Sequence, residues 1–220
     1  MEGEDGLNFD AATLENATTT TARPFSWASD AAYPALAVAA FALVLALSLL
    51  LAKRLEVRRA SGAKLLPVIS SWPASLRVAL LPLLAAYALT HALSAVSVYL
   101  NTRVANPSTL AYFEALGPGR LSSLSHAHFF AHATMYFLMA VLVQTTRSGF
   151  WTSTAAPLLA LWAGVFDVFS WWGIKYLSPS YDVLSAICGS AFSISFLVMS
   201  GAILHSAFAK VHDSQDASAP

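Results

Sequence analysis

Three histidines, His126, His128 and His132, stand within a run of apolar residues long enough to cross a membrane. An imidazole in hydrocarbon costs free energy unless it finds a hydrogen-bond or metal partner, so such residues are candidates for function. His91 and Asp167 lie in two other apolar stretches. Because successive residues of a helix are 100° apart, His128 and His132 share a face and His126 points nearly the opposite way. The sequence therefore predicts an intramembrane cluster of His91, His128, His132 and Asp167.

This cluster is compatible with four kinds of chemistry. A b-type haem could take two axial imidazoles from facing helices, with His91 opposite His128 or His132. The same three histidines with Asp167 are ligand types suited to zinc, iron or copper. A chain of histidine and aspartate is also the usual material of a proton or ion path. In the fourth interpretation the side chains hydrogen-bond one another and hold the helices together. The residues alone leave these four alternatives open.

Sequence motifs for nucleophilic catalysis are missing. No Gly-x-Ser-x-Gly elbow and no phosphate-binding glycine loop occurs, so no catalytic residue is predicted and enzymatic activity stays an open question. The single cysteine, Cys188, excludes an internal disulfide and any cysteine-based zinc or iron–sulfur site. We expect it to be a small buried thiol in an apolar helix.

The composition is that of a membrane protein. Apolar residues make up 57% of the 220 residues and charged residues 11%, where soluble domains have about 25% charged residues. The formal net charge is zero, so nothing indicates a nucleic-acid-binding surface. We therefore expect a lipid bilayer as the main partner, with other membrane subunits as further candidates.

Five apolar segments reach the roughly 20 residues that a helix needs to cross the hydrocarbon core. We predict an all-α, polytopic bundle with spans at residues 33–52, 77–100, 121–144, 152–174 and 182–208. Pro34, Pro82 and Pro157 fall near the starts of the first, second and fourth spans, and each helix is expected to begin just before its proline. A short surface helix is predicted in the loop 101–120.

The flanking segments differ in charge. Six of the twelve carboxylates lie in residues 1–30, which we predict to be a disordered acidic tail before a membrane domain at 31–209 and a short tail at 210–220. Residues 53–76, basic at first and then apolar, are expected to lie at the headgroup level.

The distribution of lysine and arginine predicts the orientation. If the N-terminus is outside, eight of the twelve basic residues fall in the inner segments and four in the outer ones. Because cytoplasmic loops carry the excess of lysine and arginine, we expect a non-cytoplasmic N-terminus and a cytoplasmic C-terminus, or one on the matrix or stroma side in an organelle.

The histidine string His126-Ala-His-Phe-Phe-Ala-His132 is followed by Asp167 and the pair Trp171-Trp172. In these features the chain resembles small, uncharacterised four-helix bacterial membrane proteins that have a His-x-His helix and an Asp-x-x-x-Trp-Trp segment. The resemblance covers about Leu80 to Leu204, and a weaker similarity extends to helices of b-type cytochromes. This chain has an additional N-terminal span and an acidic tail. The cytochrome similarity implies haem binding as an expectation.

Together these features favour a non-catalytic or electron-transfer membrane component. It could bind haem b through His91, His128 and His132, or act as an accessory subunit of a larger membrane complex. The alternative is a small transporter or proton channel that uses Asp167 and the histidines.

Overall fold

The computed structural model describes residues 26–58 and 66–209, and within these ranges the chain is helical with no strand. Six α-helices follow one another: α1 (Tyr33–Arg58), α2 (Ala74–Tyr99), α3 (Thr109–Ala115), α4 (Pro118–Gln144), α5 (Ala156–Tyr176) and α6 (Asp182–Phe208). All except α3 belong to stretches long and apolar enough to span a membrane. The predicted all-α fold with five transmembrane helices is confirmed, and α3 is the short helix expected in the loop before α4.

Short helical turns extend several of these helices. π-Helical turns at Trp27–Ala32, Leu100–Val104 and Trp151–Ala155 adjoin α1, α2 and α5, and 3-10 turns occur at Ile69–Ser71 and Pro179–Tyr181. The first of these turns includes residues 27–30 of the predicted acidic tail. The Asp30 carboxylate in this turn accepts hydrogen bonds from the Ser26 N–H and from the Ser178 hydroxyl, which ties the turn to the start of α6.

The rest of both predicted tails, residues 1–25 and 210–220, lies outside the described residues. So does the middle of the segment predicted at the headgroup level, residues 59–65.

Proline marks the start of some helices but not of α2. Pro34 and Pro157 are the second residues of α1 and α5, and Pro118 opens α4. α2 instead begins at Ala74, after Pro73, and carries Pro82 in its interior, so the start predicted there was wrong. Pro82 removes one backbone hydrogen bond, but the helix continues on both sides of it because one missing bond does not end a long apolar helix.

The closest helix pair is α5 with α6. The small residues Ala156, Ala160 and Gly164 of α5 are all buried, and Gly164 lies against His132 of α4. α1 packs mainly on α5 and α2 makes fewer contacts with other helices, and both leave most of their surface exposed. α5 is therefore the centre of the bundle, and α2 lies at its edge.

The two ends of the bundle are fixed by polar contacts between helix termini. At the end where α1 begins, which we call the amino end, Lys175 donates to the carbonyl oxygens of Phe113 and Glu114 at 2.9 and 3.1 Å. At the opposite, carboxyl end, Arg77 Nη1 donates to the Ala207 carbonyl oxygen at 3.0 Å. α4 and α6 therefore run from the amino end to the carboxyl end, and α2 and α5 run back.

Candidate functional site

The central contact of the site joins α2, α4 and α6 through Tyr136. Tyr136 is fully buried, and its hydroxyl lies 2.9 Å from His91 Nε2 and 2.9 Å from the Phe192 carbonyl oxygen. A tyrosine hydroxyl has one proton and a carbonyl can only accept. When Tyr136 donates to Phe192, His91 Nε2 must therefore carry a proton and donate to the Tyr136 oxygen.

Aromatic rings surround His91 on its other sides. The imidazole stacks on Phe192 with ring centroids 5.6 Å apart and packs edge-on against Phe196 at 4.8 Å. Both phenylalanines belong to α6, so α6 sets the orientation of the imidazole plane. The hydroxyl of Tyr136 on α4 contacts Nε2 of the same ring.

His128 and His132 continue the same face of α4, as their spacing predicts. Their ring centroids are 4.6 Å apart. The His132 ring also packs edge-on against Tyr136 at 6.0 Å and against Phe192 at 4.9 Å. A continuous series of ring contacts thus runs through His128, His132, Tyr136 and His91, and we call these four residues the His/Tyr array. Eight residues separate its first and last members on α4, so the array covers ~12 Å of the helix axis.

Four buried polar atoms have no hydrogen-bond partner among the described residues. They are His132 Nδ1, Ser195 Oγ, Ser200 Oγ and Arg77 Nε. Buried polar groups are nearly always satisfied by protein or by ordered water, so each of these atoms needs an explanation. Along the bundle they succeed one another from the middle towards the carboxyl end, because Ser195 and Ser200 follow Phe192 on α6 and Arg77 contacts its last turn.

Asp167 lies apart from the array, between α5 and α6. Its side chain is only 6% exposed, and its Oδ1 accepts a hydrogen bond of 2.6 Å from the Ser185 hydroxyl. Trp171, one turn further along α5, lies near this carboxylate. His128, another member of the predicted cluster, packs edge-on against the Trp171 ring, with centroids 4.7 Å apart. Among the described residues, the hydrogen-bond partner of the Asp167 carboxylate is therefore Ser185 of α6, the helix that packs most extensively on α5.

The four residues predicted as metal ligands are therefore divided between two places. His91, His128 and His132 belong to the His/Tyr array, and Asp167 bonds to Ser185. Within residues 26–58 and 66–209, no three side chains of histidine, cysteine, aspartate or glutamate are grouped as a metal site.

A bis-histidine haem between His91 and His128 or His132 would need His91 Nε2, which Tyr136 already occupies. It would also displace Phe192, which contacts both His91 and His132. Cofactor binding by the three histidines stays a prediction.

The helical period identifies Tyr136 from the sequence, but not the other members of the site. Tyr136 is four residues after His132 and eight after His128, so it continues the same helix face. Phe192, Ser195 and Ser200 gave no signal, because phenylalanine and serine are ordinary packing residues in membrane helices. His126 is exposed, and Cys188 is buried as expected.

Comparison with known proteins adds one finding. The model of the Aq_1264_TM family, described as a transmembrane helical domain, matches residues 111–214. The match begins in α3 and includes α4, α5 and α6 with His128, His132 and Asp167, but leaves His91 outside. No curated protein and no solved structure was found to match the chain.

The resemblance noted from the sequence is thus supported as far as a small membrane protein, with no similarity to haem proteins or cytochromes. The family match and the five long apolar helices both indicate a location in a membrane, with the lipid bilayer surrounding the helices. This chain is an integral membrane protein, similar over residues 111–214 to a transmembrane helical domain family.

Proposed function

We propose that the chain is a small proton-conducting membrane protein in which the His/Tyr array carries the proton. The observation that supports this most is the position of the Tyr136 hydroxyl, at 2.9 Å from both His91 Nε2 and the Phe192 carbonyl oxygen. A hydroxyl that accepts from one group and donates to another can pass a proton on by turning about its C–O bond.

The array offers two hydrogen-bond arrangements. In one, His91 Nε2–H donates to Tyr136 and the tyrosine proton is given to Phe192. In the other, His91 Nε2 carries no proton and accepts the tyrosine proton. One transfer converts the first arrangement into the second. A proton arrives at His91 Nδ1, the Nε2–H proton passes to the Tyr136 oxygen, and the tyrosine's own proton leaves to a water molecule. One proton thus enters and one leaves, and only N–H and O–H bonds are exchanged. Since an amide carbonyl does not retain a proton, Phe192 serves as the resting acceptor and His91 as the exchanging group.

His132 and His128 form the part of the path towards the amino end. The buried His132 Nδ1 has no partner among the described residues, and the two imidazole rings are in contact. A water molecule bonded to such an atom is the usual way in which buried polar groups are satisfied, and it can join imidazole to hydroxyl. The alternation of imidazole, water and phenol is suited to proton transfer because each member both donates and accepts.

Towards the carboxyl end the path continues with hydroxyl groups. Ser195 and Ser200 are 1% and 9% exposed, and their oxygens lack partners among the described residues. Arg77, which contacts the Ala207 carbonyl, lies at the carboxyl end of this series. Serine hydroxyls and water can carry a proton where no open pore exists, so the array favours protons over larger ions.

The other predicted roles have less support in the geometry. Asp167, which the transporter hypothesis included, is bonded to Ser185 and is outside the proton path we propose. Electron transfer through a haem b bound by His91 would require His91 Nε2 to give up its hydrogen bond to Tyr136 and coordinate the iron instead. A role as an accessory subunit stays a prediction that concerns partners and is independent of the path.

Proton flux into proteoliposomes tests the proposal. Purified protein is reconstituted with a pH-sensitive dye inside, and flux is started by a potassium gradient with valinomycin. We expect flux well above that of protein-free vesicles, and at least a tenfold loss in Tyr136→Phe, which keeps the ring and removes only the hydroxyl. The matched control is Tyr99→Phe, because Tyr99 is 61% exposed on α2. Wild-type flux at the protein-free level, or equal flux in both variants, would reject the proposal.

A further inference from the structure

An apolar groove that no member of the His/Tyr array lines opens between α1 and α5. Its volume is about 410 Å³, within the range of small-molecule sites. Its walls include Tyr33, Ala37 and Ala40 from α1, Phe166 and Phe169 from α5, and Tyr181 from the turn before α6. Every one of these residues belongs to a stretch long and apolar enough to span a membrane. A molecule that enters the groove must therefore come from the lipid phase.

The groove is polar at one end only. Tyr33 is the first residue of α1 and Tyr181 directly precedes α6, so both phenols stand at the amino end of the bundle. Ala37 and Ala40 lie one and two turns further in, and the seven residues from Tyr33 to Ala40 correspond to ~10 Å along the helix. Tyrosine at the ends of spans lies at headgroup depth, where its hydroxyl can donate a hydrogen bond. The groove thus offers hydrogen-bond donors at headgroup depth and an apolar channel below them.

We propose that this groove binds one ester-linked glycerophospholipid, with an acyl chain along Ala37, Ala40 and Phe166 and an ester carbonyl beside the hydroxyls of Tyr33 and Tyr181. We base this assignment on the order of polar and apolar groups along the groove. A phospholipid presents a carbonyl at the boundary between headgroup and hydrocarbon and an alkyl chain immediately beneath it, which is the order of donors and apolar walls in the groove.

The bound chain has a structural consequence for the bundle. α1 contacts the remaining helices mainly through α5, and the groove lies along that same contact. A lipid chain there adds apolar contacts between α1 and α5, and its ester carbonyl adds a hydrogen-bond acceptor for the tyrosines that an ether lipid lacks. Below the groove the pair is joined by the Trp162 indole N–H, which donates to the Ser48 hydroxyl at 3.0 Å.

Native mass spectrometry tests the proposal with defined lipids. The protein is reconstituted in an equimolar mixture of a diacyl phosphatidylcholine and its dialkyl ether analogue, which lacks ester carbonyls, and is then transferred to a delipidating detergent. We expect the wild type to retain one phospholipid and to prefer the ester form several-fold. Combined Tyr33→Phe and Tyr181→Phe substitutions should remove the preference for the ester form.

Blocking the groove provides the matched comparison. Ala40→Phe fills the groove and should reduce retention about tenfold, whereas Ala39→Phe adds the same side chain at an exposed neighbouring position and should leave it unchanged. Should Ala40→Phe fail to fold, Val165→Trp blocks the groove from α5. Equal retention in the blocked and control variants, or no ester preference in the wild type, would overturn the proposal. So would a lipid-soluble quinone retained in place of phospholipid. Proton flux does not enter this test, so its outcome is independent of the proposed function.

Discussion

Two polar regions lie within the apolar bundle, and they differ in how well their hydrogen bonds are satisfied. Asp167 is 6% exposed, lies between the closest pair of helices and has Ser185 as its partner. The His/Tyr array lies between α4, α6 and the loosely packed α2, and His132 Nδ1 has no partner among the described residues.

This contrast distinguishes a polar group that stabilises the packing of helices from polar groups that can transfer protons. A satisfied buried group makes one arrangement of its helices more stable than others, and changing its partner costs free energy. An array with spare donors and acceptors can exchange hydrogen bonds without moving the backbone. We therefore assign Asp167 to stability and the array to proton transfer, although the residue types alone would place all of them in one cluster.

The largest effect on stability is expected at Asp167. Asp167→Leu takes the acceptor away from the half-buried Ser185 hydroxyl, which costs about 1 kcal/mol. Asp167→Asn should be milder, because the amide oxygen can still accept this hydrogen bond. Thermal unfolding in detergent measures both variants. If both unfold like the wild type, Asp167 does not hold α5 to α6 and the contrast between the two regions disappears.

His132→Leu should separate flux from stability. Replacing a buried, unpartnered polar group by an apolar side chain of similar size is neutral or stabilising, so the unfolding temperature should stay the same or rise. Proton flux per folded protein should fall about tenfold, because the link between His128 and Tyr136 is lost. A variant with full flux would remove His132 from the path.

A smaller effect is expected when the space for the His132 ring is reduced. A Cβ atom at Gly164 would lie 3.2 Å from His132 Nδ1, so Gly164→Ala should shift the imidazole and lower flux by a few-fold. Gly201→Ala is the matched control, since a Cβ atom there meets nothing within 4 Å. Equal flux in the two alanine variants would show that the position of the His132 ring is not critical.

The orientation of the bundle can be established without affecting either region. We expect the amino end outside, because eight of the twelve basic residues then lie on the inner side. Single cysteines placed in the loop 101–120 should react with a membrane-impermeant reagent from outside, and cysteines near residue 148 only after permeabilisation. For this test Cys188, which is buried, is first replaced by alanine. The opposite labelling pattern would reverse the orientation.

Hydrophobicity and helical period were sufficient to predict the five spans and the shared face of His128 and His132. Sequence distance could not predict which helices meet. The sequence placed Asp167 in one cluster with the histidines, but the extensive packing of α5 on α6 gives its carboxylate Ser185 as a partner. The contact of Tyr136 with His91 and Phe192 depends on three helices at once, and no local pattern encodes it. Pro82 was wrongly interpreted as a helix start. Whether one proline ends a long apolar helix depends on whether neighbouring groups satisfy the backbone carbonyl that it leaves without a partner.

The central claim is that the array moves protons and Asp167 does not. Its most direct test is proton flux per folded protein in Tyr136→Phe and Asp167→Asn, reconstituted side by side. Our account predicts that Tyr136→Phe loses at least tenfold of the wild-type flux while Asp167→Asn retains most of it. Loss of flux in Asp167→Asn with normal flux in Tyr136→Phe would contradict the account and return the function to the carboxylate.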